Sequence, residues 1–254
     1  MKSLPLIVSV AATLVAGSAL AQSGYTLKMG FGSIDPRATS SDLKGTLPVY
    51  NPATQSVVGT VGLSSGVQLE VQPQDTLMFS IERAFGDHWS AELRLGYPPK
   101  HDVKLRLKSP VLTGYAPFVA GVGAKLAADD GLVVAGVRQW APTAFINYKF
   151  GDKSNALRPW MGVGINHTTF KSSTNAVGND LYQDGPVRVK LSDSTGLAFQ
   201  AGVTYQIDLN WSVQASWMTA AVKHNLSTYT DNSVQKATYR FHPSVFAAVV
   251  AYSF

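Results

Sequence analysis

The sequence predicts an all-β protein, an eight-stranded antiparallel transmembrane β-barrel with short periplasmic turns and long extracellular loops. Its segments alternate large apolar side chains with small or polar ones, as in a strand that has one apolar face. The connections between the segments are alternately short and long. Both features are typical of outer-membrane barrels, whose strands need about ten residues to cross a bilayer.

The first residues predict an exported protein. Lys2 precedes an apolar run, and the small-residue motif ALA ends just ahead of Gln22. This is the layout of a secretory signal peptide with its cleavage site, and the run is shorter than the roughly 20 residues that a spanning helix needs. We therefore expect a signal peptide over residues 1–21 and one outer-membrane β-barrel domain over residues 22–254.

The composition argues against nucleic acid as a partner and is consistent with lipid. The formal net charge is +5, without a run of Lys or Arg, so nucleic acid is not an expected partner. The chain has no cysteine, so an exported domain of this length must be held by its sheet and its packing, with lipid as the outer half of that packing.

The first four predicted strands are residues 24–34, 75–85, 89–97 and 141–150. The first places Tyr, Leu, Met and Phe opposite Thr, Lys and Gly, and the second places Leu, Phe and Ile opposite Ser and Glu. The third is the most regular, with Trp, Ala, Leu and Tyr on one face and Ser, Glu, Arg and Gly on the other. The fourth alternates likewise except at Phe145, which falls on the polar face. Each period of two indicates a strand.

The last four predicted strands are residues 158–170, 194–207, 210–222 and 240–254. The first alternates Met, Val and Ile with Gly and Asn, and the second alternates Leu, Phe, Val and Tyr with Gly, Gln and Thr. The third alternates Trp, Val and Ala with Ser and Gln, and the fourth ends the chain in alternating aromatic and small residues. An even total of eight lets the first and last strands meet antiparallel and close the sheet.

The connections agree with a barrel that crosses a membrane, in which short turns lie on one side and long loops on the other. A secreted soluble barrel with its apolar face inward is the alternative, but it would have to fill a small interior with large side chains while exposing glycine and alanine. The short connections are residues 86–88, 151–156 and 208–209, and the long ones are residues 35–74, 98–139, 171–191 and 223–239.

Four blocks of the sequence resemble the outer-membrane protein W family, which includes the alkane-uptake barrels. The resemblance spans nearly the whole chain after the signal peptide, apart from residues 35–74 and 111–138. It implies a narrow, largely apolar barrel in the Gram-negative outer membrane that passes small hydrophobic molecules through the lipopolysaccharide layer and releases them sideways into lipid. The blocks are DHWSAELRLGYPPKHDV at 87–103, RPWMGVGINHTTF at 158–170, DSTGLAFQAGVTYQIDLNWSVQASW at 193–217 and the terminal AYSF.

The same resemblance implies an assembly signal at the C-terminus. The last strand of such barrels ends in an aromatic residue that the insertion machinery of the outer membrane reads. Phe254 occupies this place, so we expect the assembly machinery to be a partner of the chain.

The polar face of the strands predicts a plug in the lumen. It carries Lys28, Glu82, Glu92, Arg94 and Lys149. Eight strands leave a lumen just wide enough for side chains to fill, and buried charges need partners. We expect these side chains to form an ion-pair plug toward the periplasmic half, with a gated ion path as the alternative.

Prolines at the outer strand ends predict a weak place in the wall, because proline cannot donate a ladder hydrogen bond. Pro98 and Pro99 end the third predicted strand, and Pro142 lies at the outer end of the fourth, where Tyr97 and Thr143 are expected to lie near each other. An apolar molecule could leave laterally here. Alternatively, the prolines only terminate strands, which is where proline is tolerated.

A similar arrangement is expected at the closure of the barrel. Pro243 lies at the outer end of the eighth predicted strand and faces Pro36, just beyond the first.

Two of the long loops are unusually apolar. Residues 57–71 and 113–137 are rich in Val, Ala, Leu and Gly. We expect them to extend the barrel outward as hairpins that line a hydrophobic vestibule, or to pack on each other without a ligand, because apolar loop residues must be buried in either case.

The chain does not resemble an enzyme. Its five histidines, the His101–Asp102 pair and Asp193 with Ser194 match no triad, zinc, phosphate-loop or dinucleotide spacing, so we expect no catalytic residues, metal or cofactor. Two functions remain: a passive channel for small hydrophobic molecules, and a structural or surface-interaction barrel of receptor or adhesion type without transport. An outer-membrane lipid hydrolase is a distant third.

Overall fold

The computed structural model describes residues 24–182 and 186–254. The predicted signal peptide, residues 1–21, lies outside the described residues. The first strands are β1 (Tyr25–Asp35), β2 (Ala38–Thr39), β3 (Lys44–Asn51), β4 (Ser56–Val71), β5 (Gln74–Phe85), β6 (Trp89–Gly96) and β7 (Lys100–Thr113). They are followed by helix α1 (Ala116–Asp129), β8 (Val133–Trp140), β9 (Thr143–Lys149), β10 (Leu157–Thr174) and helix α2 (Ala176–Tyr182). The last strands are β11 (Arg188–Leu191), β12 (Ser194–Gln206), β13 (Trp211–Ala220), β14 (Val222–Tyr229), β15 (Val234–Phe241) and β16 (Ser244–Ser253).

Eight of these strands close into an antiparallel barrel. Starting from β1, the pairing runs through β5, β6, β9, β10, β12, β13 and β16, and β16 pairs back to β1. Each of the eight overlaps one segment of the predicted alternation, in the same order. The predicted fold class is therefore confirmed.

The apolar face of the barrel points outward. Val163 is 63 % exposed and Leu197 is 77 % exposed, whereas Ser90 and Gln200 on the other face are completely buried. A soluble barrel would show the reverse, because large apolar side chains gain free energy by leaving water. The soluble alternative is therefore wrong, and lipid is the solvent of the outer face.

Phe145 interrupts the alternation because it belongs to the lumen. Its side chain is 2 % exposed and packs with Ala198, Ala220 and Met218 in a small apolar cluster. The upper lumen is therefore apolar at this level, although the rest of the inward face of β9 is polar.

Above the barrel, a second set of strands forms an outer extension. In this set β11, β14, β15, β3, β4, β7 and β8 are neighbours in that order, and β8 pairs with the outer end of β10, so the wall continues upward without interruption there. The inward side chains of these strands, together with some from β2, helix α1 and the connecting segments, form an apolar core, here named the extension core. It comprises Ala38, Leu43, Leu47, Leu63, Val67, Val71, Val103, Leu105, Leu126, Val134, Ala135, Val137, Val187, Val222, Leu226, Ala237, Tyr239 and Phe241.

The two apolar loops differ in what they form. Residues 57–71 fall within β4, as the outward hairpin prediction requires. The hairpin prediction for residues 113–137 is wrong, because most of this stretch is α1. Its alanines and leucine are strong helix formers, and Pro117 is favourable in a first helical turn.

Helices α1 and α2 lie over the outer end of the extension core. Both contact β3, and α2 also contacts β8. Lys125 of α1 and Asp180 of α2 form an ion pair of 2.5 Å. Neither helix, and no other helix in the described part of the chain, is long and apolar enough to cross a membrane.

Candidate functional site

Glu92 of β6 is the centre of a buried cluster in the lumen. Its Oε1 accepts a hydrogen bond from Ser80 Oγ at 2.7 Å. The same oxygen lies 3.2 Å from Lys28 Nζ and 3.3 Å from Arg94 Nη2. Two cations and a hydroxyl thus converge on one oxygen of a fully buried carboxylate.

A second carboxylate extends the cluster toward the short-turn end. Glu82 forms ion pairs with both Lys28 and Lys149, so Lys28 bridges the two carboxylates. The five charged residues singled out on the polar face therefore lie together in one network, here named the ion cluster. It contains three cations and two anions.

Neutral side chains complete the ion cluster. Asn147 Nδ2 and Gln200 Nε2 each donate to Glu92 Oε2 at 3.0 Å. Arg94 Nη1 donates to Ser216 Oγ at 3.2 Å, and the Lys28 ammonium lies 5.7 Å from the centre of the Trp160 ring. Together the side chains come from every wall strand except β16. The sequence placed Asn147, Gln200 and Ser216 on the polar face, but it gave no sign that they would meet Glu92 or Arg94.

The hydrogen-bond ladder of the wall is interrupted between β6 and β9. Pairing of these strands ends at Arg94 and Thr143. Above this pair, residues 95–98 and residues 140–142 have no cross-strand pairing with one another in the described structure, until β7 and β8 begin to pair. This interruption is here named the ladder break.

The predicted prolines lie in or beside the ladder break. Pro98 and Pro142 lie within it, and neither can donate a backbone hydrogen bond. Pro99 closes its upper edge by accepting a hydrogen bond of 3.1 Å from the N–H of Gln139. Pro142 accepts one of 3.0 Å from His167 on the β10 side, so β9 stays attached to β10 while it separates from β6.

A second interruption follows the pairing of β1 with β16, which ends at Asp35 and Ser244. Pro36 and Pro243 lie just above. The two interruptions differ in chemistry. Asp35 and Arg37 form an exposed ion pair of 3.5 Å at the second, whereas the ladder break is bordered by exposed aromatic rings, Tyr97 and Trp140.

The extension core is nearly filled. Its residual cavity is about 40 Å³ and is lined by apolar side chains, among them Leu47, Val67 and Leu126. Pockets that hold small molecules usually have at least about 300 Å³, so this conformation is closed. A larger concavity of about 980 Å³ is lined mainly by outward side chains such as Leu93 and Val163, which belong to the lipid-facing surface.

The catalytic candidates do not converge. His88 lies at a short turn and stacks on Tyr148, and His167 bonds to Thr195 on the neighbouring strand. His101 and His224 are buried in separate strands of the outer extension. In residues 24–182 and 186–254, no three side chains of the metal-ligating types come close enough to hold a metal ion.

The two buried histidines are held neutral by their surroundings. Nδ1 of His224 lies 2.7 Å from the carbonyl oxygen of Ser192, so it carries the proton and donates. Burial lowers the pKa of His224, against smaller opposite effects of the Ser192 carbonyl and Asp193. Burial likewise lowers the pKa of His101, whose Nδ1 donates to Gln72.

These histidines predict a pH-dependent stability of the outer extension. Above the ordinary histidine pKa of 6.5, both imidazoles are neutral whether the chain is folded or unfolded. As pH falls below this value, only the unfolded chain takes up the protons, so unfolding becomes easier by at most about 1.4 kcal/mol per pH unit for each histidine. Urea unfolding measured at several values from about pH 7.5 to about pH 5 should show little change above the ordinary histidine pKa and this slope below it.

Replacing His224 by glutamine should reduce the slope, while the exposed His242→Gln should leave it unchanged. Equal slopes in all three proteins would mean that other groups govern the effect.

Phe254 lies at the short-turn end of the barrel. Its N–H donates to the carbonyl oxygen of Tyr25 at 3.0 Å, and its ring lies edge-on to Tyr252, with centroids 5.0 Å apart. The terminal aromatic thus joins the closure of β16 onto β1. Its role as an assembly signal stays a prediction.

A closed eight-stranded barrel with an apolar outer face, a packed polar lumen and long loops at one end defines an outer-membrane β-barrel protein. The chain belongs to the OmpW family, whose profile matches residues 25–254. It is accordingly a protein of the Gram-negative outer membrane.

Relatives in the same family and solved structures with the same fold are as follows. Outer membrane protein W of Escherichia coli (strain K12) is 26% identical over 254 residues, which is 100% of both chains. The protein of the same name from Vibrio cholerae is 34% identical over 115 residues, 44% of this chain and 51% of the relative. The crystal structure of OprG from Pseudomonas aeruginosa superposes with a TM-score of 0.68 at 21% identity, covering 91% of this chain and 95% of that one. The structure of AlkL in lipid bilayers superposes with a TM-score of 0.53 at 14% identity, covering 91% and 90%.

Proposed function

We propose that this barrel is a narrow hydrophobic channel for passive uptake of small hydrophobic molecules, with lateral release into the membrane through the ladder break. The observation that carries the proposal is the position of the break. It lies between the extension core above, where Val137 and Val103 begin the apolar lining, and the apolar cluster around Phe145 below. An apolar solute would meet apolar surface above this opening, and below it the Phe145 cluster lies one position beyond a buried polar rim formed by Arg94, Thr143 and Asn166.

The ion cluster supports a lateral route. A solute that continued down the lumen would have to pass Glu92 and Lys28, whose charges are already satisfied by each other and by amides. Separating such a buried pair without replacing its contacts is costly. The cluster acts as a plug, and the wall is the easier exit.

The side chains that border the two interruptions favour the ladder break as the exit for an apolar solute. The Asp35–Arg37 ion pair at the second one would have to lose water for an apolar solute to pass. Tyr97 and Trp140, the exposed side chains at the ladder break, carry no charge that would have to lose water.

Entry requires the outer end to open, since the extension core is closed. The Lys125–Asp180 pair joins α1 to α2, and the Asp180 side chain is 59% exposed. Exposed ion pairs contribute at most about 1 kcal/mol. The ion pair therefore adds little to the cost of opening, which is set mainly by exposing the side chains that the helices pack on the extension core, such as Leu126 and Leu181.

A crosslink tests the exit. Tyr97→Cys and Trp140→Cys place one thiol on each side of the ladder break, and a short bismaleimide joins them without requiring disulfide geometry. Uptake of small hydrophobic compounds by cells that carry this variant should be lost after crosslinking, relative to the same variant before crosslinking. The matched control is Phe199→Cys with Thr219→Cys, directly paired positions in an unbroken part of the wall, where the same linker should leave uptake unchanged.

Full uptake with the Tyr97–Trp140 crosslink formed would show that cargo does not leave here. If cells lacking the protein take up a panel of hydrophobic compounds as well as cells that regain it, the channel itself is ruled out. A structural or surface-interaction barrel would then be the function that remains.

A further inference from the structure

Three cationic residues stand side by side on the outer surface, just above the ladder break. Lys100 of β7 is directly opposite Arg138 of β8. Arg138 is in turn directly opposite Lys171 at the outer end of β10. All three are exposed, because their neighbours His101 and Val137 take the inward positions. These three residues are here named the cation row.

The cation row is electrostatically unfavourable by itself. Directly opposite side chains on adjacent strands have Cβ atoms about 4.5–5.5 Å apart, and like charges there destabilise the pairing. Within residues 24–182 and 186–254, none of the three forms an ion pair, and Asp102 is the acid beside them on this face. Some other exposed arginines do have carboxylate partners: Arg188 pairs with Asp231, and Arg37 with Asp35. The row therefore has room for an anion supplied from outside the chain.

The position of the cation row relative to the membrane boundary identifies the source of that anion. Trp140 lies two residues below Arg138 on the same face, and Tyr97 lies below Lys100 beyond the ladder break; both rings are exposed. Aromatic residues of this kind mark the boundary between the apolar interior and the head groups of a membrane. Cations directly above them lie at the level of the lipid head groups in the outer leaflet.

We propose that the cation row binds the phosphate groups of a phosphorylated glycolipid of the outer leaflet. Lysine and arginine are the side chains suited to phosphate oxygens, and neighbouring cations can share the two negative charges of such a head group. The acyl chains of the bound lipid then descend past Tyr97 and Trp140, across the ladder break. This site does not rest on the channel function, and its test involves no transport.

The test uses the purified protein in detergent micelles and bisphosphorylated lipid A as the probe, with binding measured by native mass spectrometry. The variant K100Q/R138Q/K171Q should bind about 100-fold more weakly, since each cation near a lipid surface contributes about a fivefold factor. The control variant K44Q/K108Q/K190Q removes three exposed lysines that lie elsewhere on the outer extension. It should bind within about threefold of the unchanged protein, because none of these lysines belongs to a row of three cations: Lys44 faces only Lys236, and Lys190 faces Ser227.

A second probe separates phosphate recognition from attraction to acyl chains. Lipid A from which both phosphates have been removed should bind the unchanged protein as weakly as the bisphosphorylated form binds the row variant. Should the row variant be obtained only unfolded, the single variant R138Q, at the centre of the row, replaces it with an expected loss of about fivefold. Undiminished binding to the row variants, equal losses in the control variant, or equal binding of the dephosphorylated lipid would each overturn the proposal.

Discussion

Replacing Glu92 with alanine is expected to lower the free energy of unfolding by about 3–5 kcal/mol, the range for removing one partner of a buried ion pair. The carboxylate accepts from Ser80, Asn147 and Gln200 and lies within 3.3 Å of two cations. Its loss leaves Arg94 without an anionic partner and Lys28 with only Glu82. Urea unfolding in lipid vesicles, followed by tryptophan fluorescence, measures the change.

Glu70→Ala is the matched control. Glu70 also forms an ion pair, with Arg106, but the two side chains are 36% and 41% exposed. Its loss should cost less than about 1 kcal/mol. Planar-bilayer recording adds a readout of the plug itself: Glu92→Ala should raise the conductance to small ions, and Glu70→Ala should not. Equal losses of stability in the two variants would mean that the ion cluster is not the buried network described above.

Replacing Val163 with arginine is expected to destabilise the barrel by about 2–4 kcal/mol, as for arginine at the bilayer midplane on a barrel surface. Val163 is 63 % exposed and lies among outward apolar residues, so lipid must contact it. A guanidinium at this position would have to be taken into hydrocarbon. The same vesicle unfolding measurement gives the size of the effect.

Val234→Arg provides a control with the same chemical change. Val234 is 49% exposed at the start of β15 in the outer extension, where its surroundings are water. Arginine there should change the free energy of unfolding by no more than about 0.5 kcal/mol, as for surface substitutions generally. Comparable effects at the two valines would contradict the assignment of the outer face to lipid.

Sequence alone determined which segments form the wall and which face of each meets lipid. Alternation is a local property, because consecutive side chains of a strand point to opposite sides whatever the strand pairs with. Val163 could therefore be placed outside and Glu92 inside before any pairing was known. Phe145, the exception in its strand, was likewise visible as an apolar residue on the lumen face.

The partners of these residues depended on the register between neighbouring strands. The alternation along one strand does not show which residue of the next strand lies opposite. Thr143 was expected near Tyr97, but the structure pairs it with Arg94. The same limit hid the amides of Asn147 and Gln200 around Glu92, and the alignment of Lys100, Arg138 and Lys171 into one row.

The outer extension shows the same division between local and long-range information. Residues 113–137 were apolar enough to require burial, and that much followed from composition. Their helical form could have been predicted from the helix propensities of their residues. Their place over the extension core depended on strands from all four long connections. Local side-chain chemistry determines faces, whereas register and loop packing depend on contacts between residues far apart in the chain, which only the closed barrel brings together.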